Sequence, residues 1–407
     1  MLPFMAESKN WDNKKSMIQN SKIISDPLES NQKFNHDALK AEAYSQLDVF
    51  FDSFAEIADV QTDLMFGDPA AVPEPMISVV LPTFQRGQFL REALESVCNQ
   101  QKTDFAWECL VMDNTPLDNL GMTTALEIVR QLGDSRVLYY HNRVNIGPGY
   151  NWNRGVELAR GKWICFLHDD DVLFPDALRN IDRIIQCQAK GRKPLGCIQA
   201  RRVLFTEISE LQNLIPRGVP YFEPLTRTRA LIRGESGTGA PSCGTVFLKQ
   251  AYLECGGVNY DFGLTADAVL GYQIMKHYRV IRSDCVLGGY RWAENETLKK
   301  TTLQKLVYSD YLFARYRYRQ SWFSRLWGKL FWRAEYNENV RYKIKDGKKG
   351  NIVLTPTDFN EIVPYRKTNP VVYLLYKILQ RVYSLLAVMC GYRSGDGGSS
   401  KTNSKVT

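Results

Sequence analysis

Lys162 to Asp176 reads KWICFLHDDDVLFPD. An apolar run from Trp163 to Leu167 stops at His168 and three consecutive carboxylates, Asp169, Asp170 and Asp171, then resumes from Val172 to Pro175. A run of that length and composition is what a strand buried on both faces of a parallel sheet requires. Carboxylates set directly after such a strand repel one another, and a hard divalent cation such as Mg²⁺ or Mn²⁺ between them relieves the repulsion. The same residues also suit a solvated acidic turn that caps a helix starting near Pro175.

Upstream, strand and helix patterns alternate. Ile77 to Pro82 is a strand pattern, followed by a turn at Thr83 to Gly87 and then helical spacing at Phe89, Leu90, Ala93, Leu94 and Val97. Trp107 to Met112 is a second strand pattern ending in Asp113-Asn114-Thr115-Pro116, and a helical stretch near Thr123 to Leu132 leads to a third strand at Arg136 to Tyr140. Asn145-Ile146-Gly147-Pro148-Gly149 then opens a helix running through Arg160. This alternation predicts an α/β domain with a mostly parallel central sheet and helices on both faces. Ligands of such sheets bind beyond the carboxyl ends of the strands, so Asp113 and the Asp169 cluster are expected to face one crevice.

The chain has 407 residues, of which 44% are hydrophobic, enough for a substantial core and two or three domains. Nine cysteines carry no CxxC pair, and the first residues lack the pattern of a signal peptide, so a reducing, cytoplasmic compartment is expected. The net charge of +8 is unevenly spread: residues 299–407 hold 21 Lys and Arg against 7 Asp and Glu, and the remainder is acidic. Residues 1–75 read as a polar N-terminal extension, partly helical, with roughly helical apolar spacing between Leu39 and Met65.

The succession ISVVLPTFQRGQFLREALESVCNQ, WECLVMDN and NIGPGYNWNRGVELARGKWICFLHDDDVLFPDAL resembles the nucleotide-binding half of family-2 inverting glycosyltransferases, with the GT-A fold. The resemblance is closest over 76–178 and looser to about Arg291, implying a catalytic domain at 76–298 with the acceptor half from 179. It implies that Pro82, Thr83 and Arg86 turn against the nucleotide, and that Asp113 hydrogen-bonds its base, a carboxylate suiting an imide N–H such as uracil's. Asn145, Gly147 and Asn153 match an N-x-G…N segment, although Asn151-Trp152 replaces the usual Ala-Arg pair, and the two glycines equally suit an ordinary turn. The acidic cluster matches a D-x-D-like motif. Asp170 and Asp171 would hold Mn²⁺ or Mg²⁺, Asp169 would serve the ribose or metal-bound water, and His168, in a slot where the family often has Asp, is expected to support or pack.

Asp267 matches the family's catalytic base at the start of a helix, where a carboxylate is also favoured for purely electrostatic reasons. Ala266 replaces the usual preceding Glu, and Asp261 and Glu254 are the fallback bases. Arg291, in the closing Tyr-Arg segment, would face the diphosphate, and Gly234 to Gly239 suggests a loop over the site. Together these imply transfer of a sugar from a nucleotide-diphosphate donor, UDP-linked by preference, to a glycan or lipid-linked acceptor. A nucleotidyltransferase and a non-catalytic nucleotide-sugar-binding protein are the alternatives; the short Thr83 to Gly87 turn speaks against the first.

Beyond Lys299, aromatics interleave with Arg and Lys from Tyr311 to Tyr342, a composition suited to the headgroup layer of an anionic membrane, and no nucleic-acid motif accompanies it. Val371 to Cys390 is long enough to span a bilayer, but Lys377, Gln380, Arg381 and Ser384 share one helical face. The expectation is an amphipathic helix in the membrane interface, attaching the protein peripherally to the cytoplasmic face; packing of its apolar side on the catalytic domain is the alternative. A disordered tail is expected from Gly391.

Overall fold

The computed structural model describes residues 52–87, 89–116, 120–211, 221–234, 243–292, 299–349, 351–390 and 392–393. Expectations that fall on residues 1–51, 235–240 and most of the tail lie outside them.

The strands are β1 (Thr62–Phe66), β2 (Ile77–Thr83), β3 (Trp107–Asp113), β4 (Val137–Asn142), β5 (Trp163–Phe166), β6 (Val172–Leu173), β7 (Leu195–Phe205), β8 (Tyr221–Leu225), β9 (Thr245–Leu248), β10 (Arg279–Arg291) and β11 (Tyr392–Arg393). They form one sheet in the order β1-β4-β3-β2-β5-β9-β7-β10-β8-β11, with β6 paired to β10. The helices are α1 (Leu90–Cys98), α2 (Leu120–Leu132), α3 (Pro148–Leu158), α4 (Ala177–Cys187), α5 (Arg227–Arg233), α6 (Lys249–Glu254), α7 (Ala266–His277), α8 (Lys300–Arg317), α9 (Trp322–Lys349) and α10 (Pro370–Cys390).

The half of the sheet built by β2 to β5 follows the sequence closely. Every residue of β3 is buried, as is every residue of β2 except Pro82, which is why both read as unbroken apolar runs. Helix α1 buries Leu90, Ala93, Leu94 and Val97 at helical spacing. Strands β4, β3, β2 and β5 are parallel neighbours. Their registers bring three strand ends level, Thr83 beside Asp113 and Asp113 beside His141.

The sheet as a whole is mixed, which corrects the expectation of a mostly parallel one. β9 runs antiparallel to both β5 and β7, β10 is antiparallel to β6 and β8 while parallel to β7, and β1 is antiparallel to β4. Apolar runs of four to seven residues carry burial but not direction, so reversed strands inserted after β5 look like parallel ones. The span from Phe205 to Arg233, which shows no clear period, contains β8 and α5. Thr62 to Phe66, where helical spacing suggested a helix, is an edge strand, with Leu64 and Met65 exposed.

The basic C-terminal region packs on the sheet domain. Tyr308, Leu312, Phe313 and Tyr316 of α8 join the main core, and Trp327 and Phe331 of α9 form a second cluster with Leu231, Ile232 and Tyr376. Much of the aromatic set that composition assigned to a membrane surface is thus core. No described helix is long and apolar enough to cross a membrane.

Candidate active site

Leu167 leaves β5 by donating its N–H to Val80 O (3.1 Å), which keeps the chain at the carboxyl edge of the sheet as it enters the acidic turn. The turn closes with Asp171 N–H on His168 O (3.2 Å), and the chain re-enters the sheet as β6 against β10. That return needs a glycine on the partner strand: a Cβ at Gly288 would sit 2.1 Å from Val172 O. The three carboxylates are therefore fixed between two strands.

Each carboxylate has a different environment. Asp169, 7% exposed, accepts the Thr83 hydroxyl at 2.7 Å. Asp170 accepts Arg86 Nη1 at 2.9 Å, a pair that remains partly open to solvent. Asp171, 1% exposed, accepts the Arg291 N–H on Oδ1 (3.0 Å), while its Oδ2 is buried without a hydrogen-bond partner. Burial pushes the carboxyls of Asp169 and Asp171 up to about 6, against the pull of Thr83 on the first and of His168 on the second. His168 stacks on Trp152, ring centroids 5.9 Å apart and planes 10° from parallel. Ligand atoms of His168, Asp170 and Asp171 lie within 4.8 Å of one another. One nitrogen and two carboxylate donors around an unsatisfied buried oxygen are a fit for Mn²⁺ or Mg²⁺, which favour oxygen ligands.

Arg291 is placed otherwise than the resemblance implied. It is 4% exposed, its Nε donates to Asp170 O (2.9 Å) and its Nη1 to Thr206 O (3.0 Å), while Nη2 pairs with Glu92. The guanidinium also lies over the rings of Phe89 (4.3 Å) and Phe205 (4.5 Å). Arg291 braces the back of the acidic turn.

At the neighbouring strand ends, Asp113 is fully buried, with Oδ1 on the Thr115 N–H (2.8 Å) and Oδ2 on the Tyr139 hydroxyl (2.5 Å). Burial raises its pKa. Thr83 and Asn114 are tied by Asn114 N–H on Thr83 O (3.1 Å), so this strand end and the acidic turn share one frame. Asn145 Oδ1 accepts from Asn114 Nδ2 (2.6 Å) and from the Gly147 N–H (2.9 Å). Asn114 Oδ1 accepts from the Ile146 N–H (3.1 Å) and Asn142 Nδ2 (3.2 Å), and Asn142 Nδ2 also donates to Asn151 Oδ1 (2.8 Å). This asparagine relay fixes the loop into α3, where Gly147 takes φ 78° at the cap. Only Asn145 was singled out in the sequence. Asn114 and Asn142 each stand at or just past a strand end, the one signal that marks them.

Asn153 does not join that relay. Fully buried, it holds Val258 at both backbone groups, Nδ2 to Val258 O (2.8 Å) and Val258 N–H to Oδ1 (2.9 Å), and accepts the Tyr252 hydroxyl (2.9 Å). A second anchor follows: the Gly149 N–H donates to the Tyr260 hydroxyl at 2.5 Å, and a Cβ at Gly149 would lie 2.6 Å from that ring. Residues 258–265 are thereby tied to α3 just before α7 begins, with Asp267 in its first turn. Burial pushes the Asp267 carboxyl up to about 6, with Asp310 of α8 raising it and Lys343 of α9 lowering it. Asp267 thus belongs to the layer where the C-terminal helices close on α7. Of the fallback bases, Glu254 receives hydrogen bonds from Tyr278 and Gln250, and the Asp261 side chain lies outside the described residues.

An acidic turn at the carboxyl edge of an α/β sheet, framed by polar strand ends, is an arrangement that could hold a cation and, through it, an anionic ligand. Residues 78–188, about a quarter of the chain, match the model of the glycosyl transferase family 2. Over 126 residues it is 32% identical to abequosyltransferase RfbV of Salmonella typhimurium, covering 30% of this chain and 37% of that protein. Over 108 residues it is 35% identical to the GalNAc(5)-diNAcBac-PP-undecaprenol beta-1,3-glucosyltransferase of Campylobacter jejuni, covering 26% and 33%. The match therefore spans only about a third of the length of each relative. The mannosyltransferase PcManGT from Pyrobaculum calidifontis, solved with GDP-Man and Mn2+, overlays 87% of this chain and 96% of its own at 14% identity and a TM-score of 0.45, too loose a likeness to argue from.

Proposed function

We propose that the chain is an inverting, metal-dependent glycosyltransferase that moves a sugar from a nucleotide-diphosphate donor to a hydroxyl of a glycan or lipid-linked acceptor. The observation that carries this reading is the buried Oδ2 of Asp171, without a hydrogen-bond partner and 3.9 Å from His168 Nδ1, beside Asp170 in a segment that matches the glycosyl transferase family 2 model. Asp170, Asp171 and His168 would hold Mn²⁺ or Mg²⁺, which supplies positive charge for the departing diphosphate. Arg86 screens Asp170, and Thr83 orients Asp169 toward the ribose. Arg291 keeps the turn in place rather than touching the diphosphate. Pro82, Asn145 and Gly147 line the nucleotide's approach.

A UDP donor is favoured because Asp113 retains lone pairs that an imide N–H can use. Asp267 takes the acceptor hydroxyl's proton on its carboxylate as that oxygen attacks the anomeric carbon from the face opposite the diphosphate. A carboxyl raised to about 6 is a better base near neutrality than an ordinary one. A lipid-linked acceptor, the class named for the Campylobacter relative, would be met by a peripheral enzyme at the cytoplasmic face of a membrane.

The test is incubation with a panel of nucleotide sugars with and without Mn²⁺, reading free nucleoside diphosphate. Metal-dependent release that Asp170→Ala abolishes supports the reading. Release that is unchanged by chelator and by Asp170→Ala removes the metal assignment, and no release from any donor removes the activity.

A further inference from the structure

Helix α10 is amphipathic in the unusual sense: its polar side faces the protein. Lys377 Nζ donates to Glu338 Oε2 (2.9 Å), Gln380 Nε2 to Ile232 O (3.2 Å), and Ser384 Oγ accepts Arg233 Nη1 (3.0 Å). Tyr376, 1% exposed, packs on Trp327 and Phe331, ring centroids 6.1 and 5.7 Å away. The opposite side carries Val371, Leu374, Leu375, Ile378, Val382 and Leu385, from 46% to 73% exposed, at offsets of 0, 3, 4, 7, 11 and 14. That is one unbroken apolar stripe along the helix. Helix α9 adds exposed Trp322, Leu326 and Leu330 near its start.

Water is a poor partner for a stripe of this length, and the charges around it select what covers it. Neither Tyr311 to Ala334 nor Arg366 to Cys390 contains a carboxylate. Arg319, Arg325, Lys329, Arg366, Lys367 and Arg381 are all exposed there. A second copy would bring like charges together, whereas an anionic bilayer offers headgroups to the cations and acyl chains to the stripe. A 21-residue helix is about 31 Å long at 1.5 Å per residue, so it can lie in the interface over its whole length.

We propose that α10 is a membrane-docking helix that inserts its Val371 to Leu385 stripe into the interface of an anionic bilayer, with the catalytic body held above it by the helix's polar side. The inference rests on the proposed function only in taking the acceptor to be lipid-linked. It specifies what a peripheral enzyme would use: which face enters and how the protein is oriented.

The test uses the full chain without donor, acceptor or metal, sedimented with phosphatidylcholine vesicles with and without phosphatidylglycerol. Binding should favour the anionic vesicles. Leu374→Glu combined with Ile378→Glu should weaken partitioning by about a hundredfold, since two buried leucine-sized side chains are lost to the interface. Arg381→Gln should weaken binding about fivefold to anionic vesicles only. Circular dichroism and the melting temperature of each variant should match the parent, because the altered side chains are exposed. The proposal is overturned if the parent binds neither vesicle, if the double variant binds as the parent does, or if light scattering shows a dimer that the double variant dissolves. Because no turnover is scored, each of these results leaves the glycosyl-transfer reading standing, and an inactive enzyme that binds vesicles leaves the docking reading standing.

Discussion

The acidic turn and helix α10 depart from ordinary burial in opposite directions. In the turn, Asp169 and Asp171 are withdrawn from water and Asp171 has an oxygen without a hydrogen-bond partner; on α10, Val371 is 73% exposed and Leu385 66%. A buried carboxylate and an exposed leucine row each cost stability in the isolated protein. Under the proposals made above, each cost would be recovered on binding, by a cation and an anionic nucleotide in one case and by a lipid interface in the other. The difference lies in enforcement. The turn is locked by β5, β6, Thr83, Arg86 and Arg291, whereas α10 needs only its inward face seated for the outward face to be presented.

The sharpest break with that picture would come from Asp267, a third carboxylate whose surroundings raise its pKa. Asp267→Asn should lower turnover by about 10² to 10⁴-fold with donor binding unchanged, the range for a lost general base. The parent's rate should fall as pH drops through about 6, where the carboxylate takes up its proton. Stability runs the other way. The native pKa is raised from 3.8 to about 6, so the folded state holds the proton more tightly than the unfolded chain, and stability is lost as pH rises across that window. Asp267→Asn should therefore melt higher than the parent at pH 8 and level with it at pH 4, read by calorimetry. Full turnover in the variant would move the base elsewhere.

Next in size is Asp170→Ala, which should reduce turnover by about 10² to 10³-fold, the cost of removing one charge-stabilising group. Calorimetric titration should show nucleoside diphosphate binding that no longer responds to Mn²⁺. Equal metal response in parent and variant would leave the acidic turn as a structural cap, the alternative its residues allowed from the start.

Sequence pattern exposed the turn better than the helix surroundings, for physical reasons. The strand ending at Phe166 and the carboxylates after it are adjacent in the chain, so both the strand and the candidate site could be read there. Long-range partners were not. That Arg291 lies behind Asp170, that Asn153 grips Val258, and that Tyr260 meets Gly149 are contacts between residues more than a hundred positions apart. The direction of β9 was hidden for a similar reason: it depends on where its neighbours lie. On α10 the periodicity gave two faces correctly but could not say which one the protein would take, because Lys377 and Gln380 find their partners on α9 and α5.

Asn153→Ala tests how firmly the site is locked. It removes three hydrogen bonds and leaves the Val258 backbone groups buried without partners, at a cost of about 1 to 3 kcal/mol per unsatisfied group. Melting should fall by several degrees. Turnover should fall more than donor affinity, since the loosened segment leads into Asp267 while the acidic turn is untouched. An equal loss in both would mean that residues 258–265 support the nucleotide side as well.

The smallest effect belongs to α10. Leu385→Ser, at a position 66% exposed, should shift stability by no more than about 0.5 kcal/mol in vesicle-free buffer, because a solvent-facing side chain has little packing to lose. A buried leucine in the same helix would cost about 2 to 5 kcal/mol on truncation, so the two arrangements differ well beyond error. A large loss at Leu385 would mean that the stripe is already covered within the protein in solution and that both of α10's faces are spoken for. A negligible loss would leave the row facing water, with the polar side of α10 alone holding the helix in place.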